Sequence, residues 1–241
     1  MPLEKGDFVL VDYVGKVKET GEVFVTTLEE VAKKEKMYKE GEIYEPKLLV
    51  VGEGWVLKAL DEAFISFDIG KPASLEIPPD KAFGPRDPEK VKLVPLRRLT
   101  NRGITPQLGM RLEVDGKTAT VRTIGAGRVQ LDYNPPLAGK TLVYEVTVHK
   151  KLETKAEKME ALIHRRIPLI DIKKFNIKTR KNDVIIDMPE DAFYLEGIQL
   201  TKRGIAADMQ KFFPEVTSVK FVETFKKPEP VGGQPQQATT P

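Results

Sequence analysis

Residues 51–64 read VGEGWVLKALDEAF. Gly52 closes an apolar stretch that begins at Lys47, and Lys47 to Val51 reads as a strand. From Trp55 onward the pattern changes. Val56, Leu57, Leu60, Ala63 and Phe64 recur at helical spacing. The segment is short and apolar on more than one side, which predicts a buried helix. The flanking chain alternates instead. In residues 7–18, Phe8, Leu10 and Asp12 share one face and Val9, Val11 and Tyr13 the other, as in a strand buried on much of both faces. Thr20-Gly21 supplies a turn, and Val23 to Thr26 starts a second strand. Residues 28–40 are rich in Glu and Lys, with Leu28, Val31 and Ala32 spaced for one face of a solvated helix. Ser74 to Ile77 alternates and stops at Pro78-Pro79; Thr141 to Val148 alternates again.

Between these last two strands the composition changes. Residues 84–132 hold no Phe, Tyr or Trp but many aliphatic side chains. Asp115-Gly116 separates two alternating stretches, Met110 to Val114 and Lys117 to Val121, a two-residue hairpin signal. That register puts Met110, Leu112, Ala119 and Val121 on one face of a small all-β unit. A third unit begins near Lys151. Thr154 and Glu157 have capping-box spacing, ahead of a helix carrying Met159, Leu162 and Ile163 and stopped by Pro168. Strands follow at Phe175 to Thr179 and Val184 to Met188. Gly197 to Phe213 is an amphipathic helix, and Val216 to Phe225 a last strand. The order α-β-β-α-β predicts a small α+β domain. From residue 228 to 241, Pro, Gly, Gln and Thr dominate, which predicts a disordered tail.

Charge segregates along the same boundaries. Residues 86–131 hold 10 Lys and Arg against 4 Asp and Glu, whereas residues 1–85 with 132–150 hold 13 against 19. Separate units with separate partners fit this segregation, and so does simple drift in composition.

The composition excludes much chemistry. Of 241 residues none is Cys, so disulfides, thiolate metal sites and cysteine nucleophiles are out. The two histidines, His149 and His164, lack motif partners. No phosphate-binding glycine loop and no GxSxG elbow occur. The pairs Glu29-Glu30 and Asp61-Glu62 sit in charged stretches and read as solvated helix faces. No metal and no cofactor is expected. Glu4, Lys5 and Asp7 break the N-terminal segment, which is no signal peptide, and no apolar run approaches the ~18 residues of a membrane span. A soluble, cytoplasmic protein without membrane contact is expected.

Four segments, taken in order, resemble one family. They are VDYVGKV (11–17) with GEVF (21–24), the stretch quoted above, IPPDKAFG (77–84), and NPPLAGKTLVYEV (134–146). Together they resemble the FKBP-type peptidyl-prolyl cis/trans isomerases, in particular the SlyD-like branch in its long archaeal form. That form carries an insert-in-flap domain at the point where the composition breaks. The resemblance implies an FKBP-type antiparallel β-sheet wrapped on a short helix, built from residues 1–85 and 132–150. It implies an inserted chaperone domain at 86–131 and a C-terminal α+β domain at 151–227. It also implies a pocket floored by Leu60 and walled by Tyr13, Phe24, Val56, Leu57, Phe83, Leu137 and Tyr144. Relatives usually carry Asp where Val25 stands, so slower isomerisation is implied, or a pocket used more for binding. Phe83 stands where many relatives have Tyr. No counterpart of the His-rich metal-binding tail of bacterial SlyD relatives is present.

The aliphatic residues of the insert exceed what so small a unit buries. Leu93, Leu96, Leu99, Met110, Leu112 and Val121, rimmed by Arg97, Arg98 and Arg111, are therefore candidates for binding unfolded chains. The partners implied are unfolded or nascent proline-containing polypeptides. The helices of the C-terminal unit suit a homodimer as well as a private core. Two competing readings remain. One is a holdase on an FKBP scaffold. The other is a ribosome- or RNA-associated protein, suggested by 10 Lys and Arg against 4 acidic residues in 151–181. Against the second, the insert lacks aromatic side chains for stacking bases.

Overall fold

The computed structural model describes residues 2–227. The tail expected to be disordered, 228–241, lies outside them. The chain divides into two compact units, the first ending at Leu152 and the second beginning at Glu153.

In the first unit, strands β1 (Phe8–Val17), β2 (Val23–Thr26), β3 (Lys47–Val50), β4 (Pro72–Ile77) and β9 (Leu142–Leu152) make a five-stranded sheet. Every pairing in it is antiparallel. β1 lies centrally, bonded to β2, β3 and β9, and its Val9 and Val11 are fully buried. The helix read at 55–64 is shorter than its pattern: α2 spans Lys58–Ala63 and passes into a single 3₁₀ turn, Phe64–Ser66. Its Leu60 and Phe64 are fully buried within the cluster that holds Val9, Val11, Ile77, Leu142 and Val146. Asp61 is buried as well. Its carboxylate accepts the N–H groups of Gly52 (2.9 Å) and Gly54 (2.7 Å), which ties the loop before α2 to the helix. It is thus a structural acceptor and not part of a solvated acidic face.

The helix expected over 28–40 is confined to α1 (Glu29–Lys34). Lys36 adopts a φ of 57°, and the N–H groups of Met37 and Tyr38 both turn back to Ala32 O. The chain then packs Tyr38 against Tyr44, with ring centroids 5.5 Å apart. Charge-rich composition suited a longer helix, but ring stacking and a left-handed residue end it.

The insert holds β5 (Val91–Pro95), α3 (Leu96–Thr100), β6 (Arg111–Val114), β7 (Lys117–Gly125) and β8 (Arg128–Asp132). Its sheet order is β5-β8-β7-β6. The hairpin turn sits where expected: Asp115 and Gly116 both have positive φ (54° and 74°), as a type I′ turn requires. Opposite each other stand Leu112 and Ala119. The short α3 means that the insert is not purely β.

The second unit contains α4 (Lys155–Arg166), β10 (Asn176–Arg180), β11 (Asp183–Asp187), α5 (Ile198–Phe212) and β12 (Ser218–Val222). The order α-β-β-α-β is the expected one. β10 and β11 pair antiparallel, while β11 and β12 pair parallel across α5. Thr154 and Glu157 form a complete capping box at the start of α4. Arg166 on α4 holds Asp208 on α5 through two bonds of 2.8 and 3.0 Å.

Candidate active site

The residues expected to form the pocket come from four separate stretches of chain, and all but Phe83 join or pack on one apolar cluster. β1 and β9 are neighbours, with Gly15 opposite Tyr144 and Tyr13 opposite Val146. β2 pairs with the far end of β1, with Gly15 opposite Val25. This register sets Tyr13, Phe24 and Tyr144 beside one another. The Phe24 ring stands edge-on to Tyr144 at 5.7 Å between centroids, and Tyr13 lies 6.2 Å from Tyr144 at a tilted angle. Edge-to-face pairs of this kind add about 0.5–1.5 kcal/mol beyond their buried area.

Gly15 makes this packing possible by its lack of a side chain. A Cβ there would stand 2.7 Å from both Phe24 Cζ and Val25 Cγ1. Leu60 is fully buried in the cluster against which these rings pack. Val25, Val56, Leu57 and Leu137 pack half-buried on the same cluster, as do Trp55 and Ala82, which the sequence reading did not place in the site.

Both phenols resist ionisation. Burial raises the pKa of Tyr13. Burial, and then the neighbouring Tyr13, push Tyr144 up to about 12. Near neutral pH the two rings are uncharged, and each keeps a hydroxyl donor at an apolar surface.

Phe83 departs from the expected wall. It is 41% exposed and lies outside the cluster. The tight turn over Pro79–Lys81 points Ala82 inward in its place. Phe83 is therefore an exposed ring next in sequence to the inward Ala82. The loop that carries it is fixed by the bond from Gly139 N–H to Gly84 O at 2.8 Å.

The two chain crossings into the insert are clasped by one carboxylate. Asp132, 1% exposed, accepts Arg86 (2.9 Å), Arg122 (3.0 Å) and both the backbone and side-chain N–H groups of Asn134 (3.0 and 2.8 Å). Burial alone would raise its pKa, but the bonds from Asn134, Arg122 and Arg86 outweigh this and lower it to about 2. The Asn134 side chain also bonds Asp87 at both N and O, joining the outgoing and returning strands.

The insert's candidate residues divide. Leu99, Leu112 and Val121 are buried in its own core with Val114, Val129 and Leu131, so they cannot meet a client. This corrects the sequence reading: apolar spacing marks an inward face without saying which of its members stay uncovered. Leu96 packs half-buried on that core. Leu93 (61%) and Met110 (39%) are exposed, and so are Leu108 (74%) and Ile124 (43%), which the reading left out.

Comparison with known proteins identifies the family. Over 146 residues the chain is 36% identical to a short-type peptidyl-prolyl cis-trans isomerase of Methanocaldococcus jannaschii, covering 61% of this chain and 92% of that one. The chain belongs to the FKBP-type peptidyl-prolyl cis-trans isomerases. A probable FKBP-type 16 kDa isomerase of Pseudomonas fluorescens is 30% identical over 106 residues, 43% of this chain and 71% of that one. SlyD of Treponema pallidum is 31% identical over 120 residues, 48% of this chain and 68% of that one. A family model described as "FKBP26, IF domain" matches residues 92–137, and one described as "FKBP26_C-terminal" matches 155–226. The isomerase is thus SlyD-like, and its inserted and C-terminal segments each match a family of their own. Among the described residues no helix is long and apolar enough to cross a membrane, and no His, Asp and Glu cluster is arranged to hold a metal ion.

Proposed function

We propose that this isomerase accelerates X-Pro rotation by holding the twisted amide on the Tyr13, Phe24 and Tyr144 rings above Leu60. The observation that carries the reading is the Phe24–Tyr144 edge-to-face pair in one cluster with the fully buried Leu60. No bond need break. The barrier of ~18–20 kcal/mol arises from amide resonance, and X-Pro is the linkage in which both isomers are populated. Rotation destroys the planar amide's charge separation, so an apolar, water-poor surface favours the twisted form over the planar one. The rings grip the proline. In this reading the hydroxyls of Tyr13 and Tyr144 and the N–H of Leu57 donate to the peptide carbonyls. Val25 offers no carboxylate to the rotating amide.

Unfolded, proline-containing polypeptides are the proposed clients, with first capture on the insert. Leu93, Leu108, Met110 and Ile124 are exposed there, on a unit rich in arginine and lysine. Large exposed apolar side chains on so small a unit favour a binding role. Deleting residues 86–131 tests this: suppression of aggregation should fall while turnover of a short proline peptide persists. Unchanged suppression would remove the insert from the function.

A further inference from the structure

Tyr13 is held from behind by a chain of polar groups that runs to the protein surface. We infer that Thr27, Asp12 and His149 are positioning residues for the isomerase reaction, acting through the main chain of Tyr13. This rests on the reading of Tyr13 as a pocket residue.

Thr27 follows β2 and is only 3% exposed. Its hydroxyl accepts the N–H of Tyr13 at 3.0 Å, and its own N–H donates to Tyr13 O at 3.1 Å. Tyr13 is therefore gripped on both sides by one residue. The hydroxyl proton goes to Asp12 Oδ1 at 2.5 Å, which fixes the direction of the Thr27 oxygen so that its lone pair faces Tyr13. The other carboxylate oxygen, Oδ2, lies 2.7 Å from His149 Nε2.

A β-bulge supplies this last link. Val11 pairs with Val148 and Leu10 with Lys150, which leaves His149 as the extra residue of β9. Bulges re-aim a side chain in this way. The line His149–Asp12–Thr27–Tyr13 thus runs from β9 through β1 to the residue after β2, and returns to β1 at Tyr13, whose ring lies 6.2 Å from Tyr144. A valine at position 27 would fill the same space, but only a hydroxyl can take the Tyr13 N–H and pass its own proton to a carboxylate. Asp12 is the one acidic side chain of β1, and the line accounts for both of its oxygens.

The test measures kcat and KM separately on the full chain with a proline tetrapeptide, together with the ring NMR signals of Tyr13. Thr27→Val should lower kcat by about three- to tenfold, the scale of one hydrogen bond, with KM changed less than about twofold. The Tyr13 signals should shift. Thr27→Ser should restore both the rate and the signals. His149→Leu, at the exposed end, should move the Tyr13 signals in the same direction with a smaller fall in kcat. A folded Thr27→Val enzyme with wild-type kcat would overturn the inference, as would a serine variant no better than valine. Should Thr27→Val fail to fold, His149→Leu decides: unmoved Tyr13 signals would sink the idea, and shifted ones support it. Wild-type turnover measured alongside separates this result from any failure of the pocket assignment.

Discussion

The isomerase body and its insert use apolar residues in opposite ways. In the body, the aromatic side chains lean on one another in a cluster that holds the fully buried Leu60, and a glycine opposite Val25 leaves them room. In the insert no aromatic residue occurs between 84 and 132, and its aliphatic residues split between a closed core and an exposed set. The charges are opposed too, acidic in the body and basic in the insert. A rigid ring cluster suits one small, repeated substrate feature, the proline. Flexible aliphatic side chains, exposed on a basic unit, suit many unrelated segments. The comparison teaches that the two regions should fail separately.

The sharpest break between them is catalytic. Phe24→Ala removes the edge-on partner of Tyr144 and should lower kcat/KM on a proline peptide by about 30- to 100-fold, or ~2–3 kcal/mol. Aggregation suppression should change little. Loss of both together would mean that the regions do not work apart.

Next comes the division inside the insert. Leu99→Ala should destabilise it by about 2–5 kcal/mol in urea unfolding, because Leu99 is fully buried. Leu108→Ser, at a residue 74% exposed, should leave stability within about 0.5 kcal/mol and weaken client capture. If Leu108→Ser instead unfolds the insert, the division into core and exposed sets is wrong.

The clasp comes third. Asp132→Ala strands the N–H groups of Asn134 and two arginines. The arginines are half-exposed and regain water, so the cost should be about 2–3 kcal/mol, below the ~3–5 of a fully buried pair. The same carboxylate predicts acid sensitivity. Its folded pKa of about 2 lies below the ordinary 3.8. Its contribution is therefore complete above pH ~4 and is lost as the pH falls from there through ~2. A urea series over that range checks it; a flat profile in wild type, or an equal slope in Asp132→Ala, would contradict the assignment.

The smallest effect concerns Val25. Val25→Asp adds a carboxylate beside the ring cluster and should raise kcat/KM by about two- to fivefold, around 1 kcal/mol or less. Equal rates would show that its absence does not slow this enzyme.

Local signals were legible and long-range ones were not. The Asp115-Gly116 turn and the Thr154–Glu157 capping box are fixed by residues within three positions of each other, and the spacing found both. The buried helix was legible because its apolar residues cover more than one side. Helix α1 was read too long because nothing in a run of Glu and Lys announces that Tyr38 will stack on Tyr44. Phe83 was read as a wall by resemblance, yet the turn before it sends Ala82 inward. Leu99, Leu112 and Val121 were read as client-binding because apolar periodicity shows a face and not its cover. The Thr27–Asp12–His149 line depends on strand register and on a bulge, and no sequence spacing encodes either.

The central claim is that prolyl bonds turn over on the ring cluster of the body. The most direct measurement is NMR exchange between the cis and trans signals of a proline tetrapeptide, with intact wild type and Phe24→Ala side by side. Exchange that grows with wild-type concentration and nearly vanishes in the folded variant is the predicted result. Equal exchange in both, or none in wild type, would contradict the account.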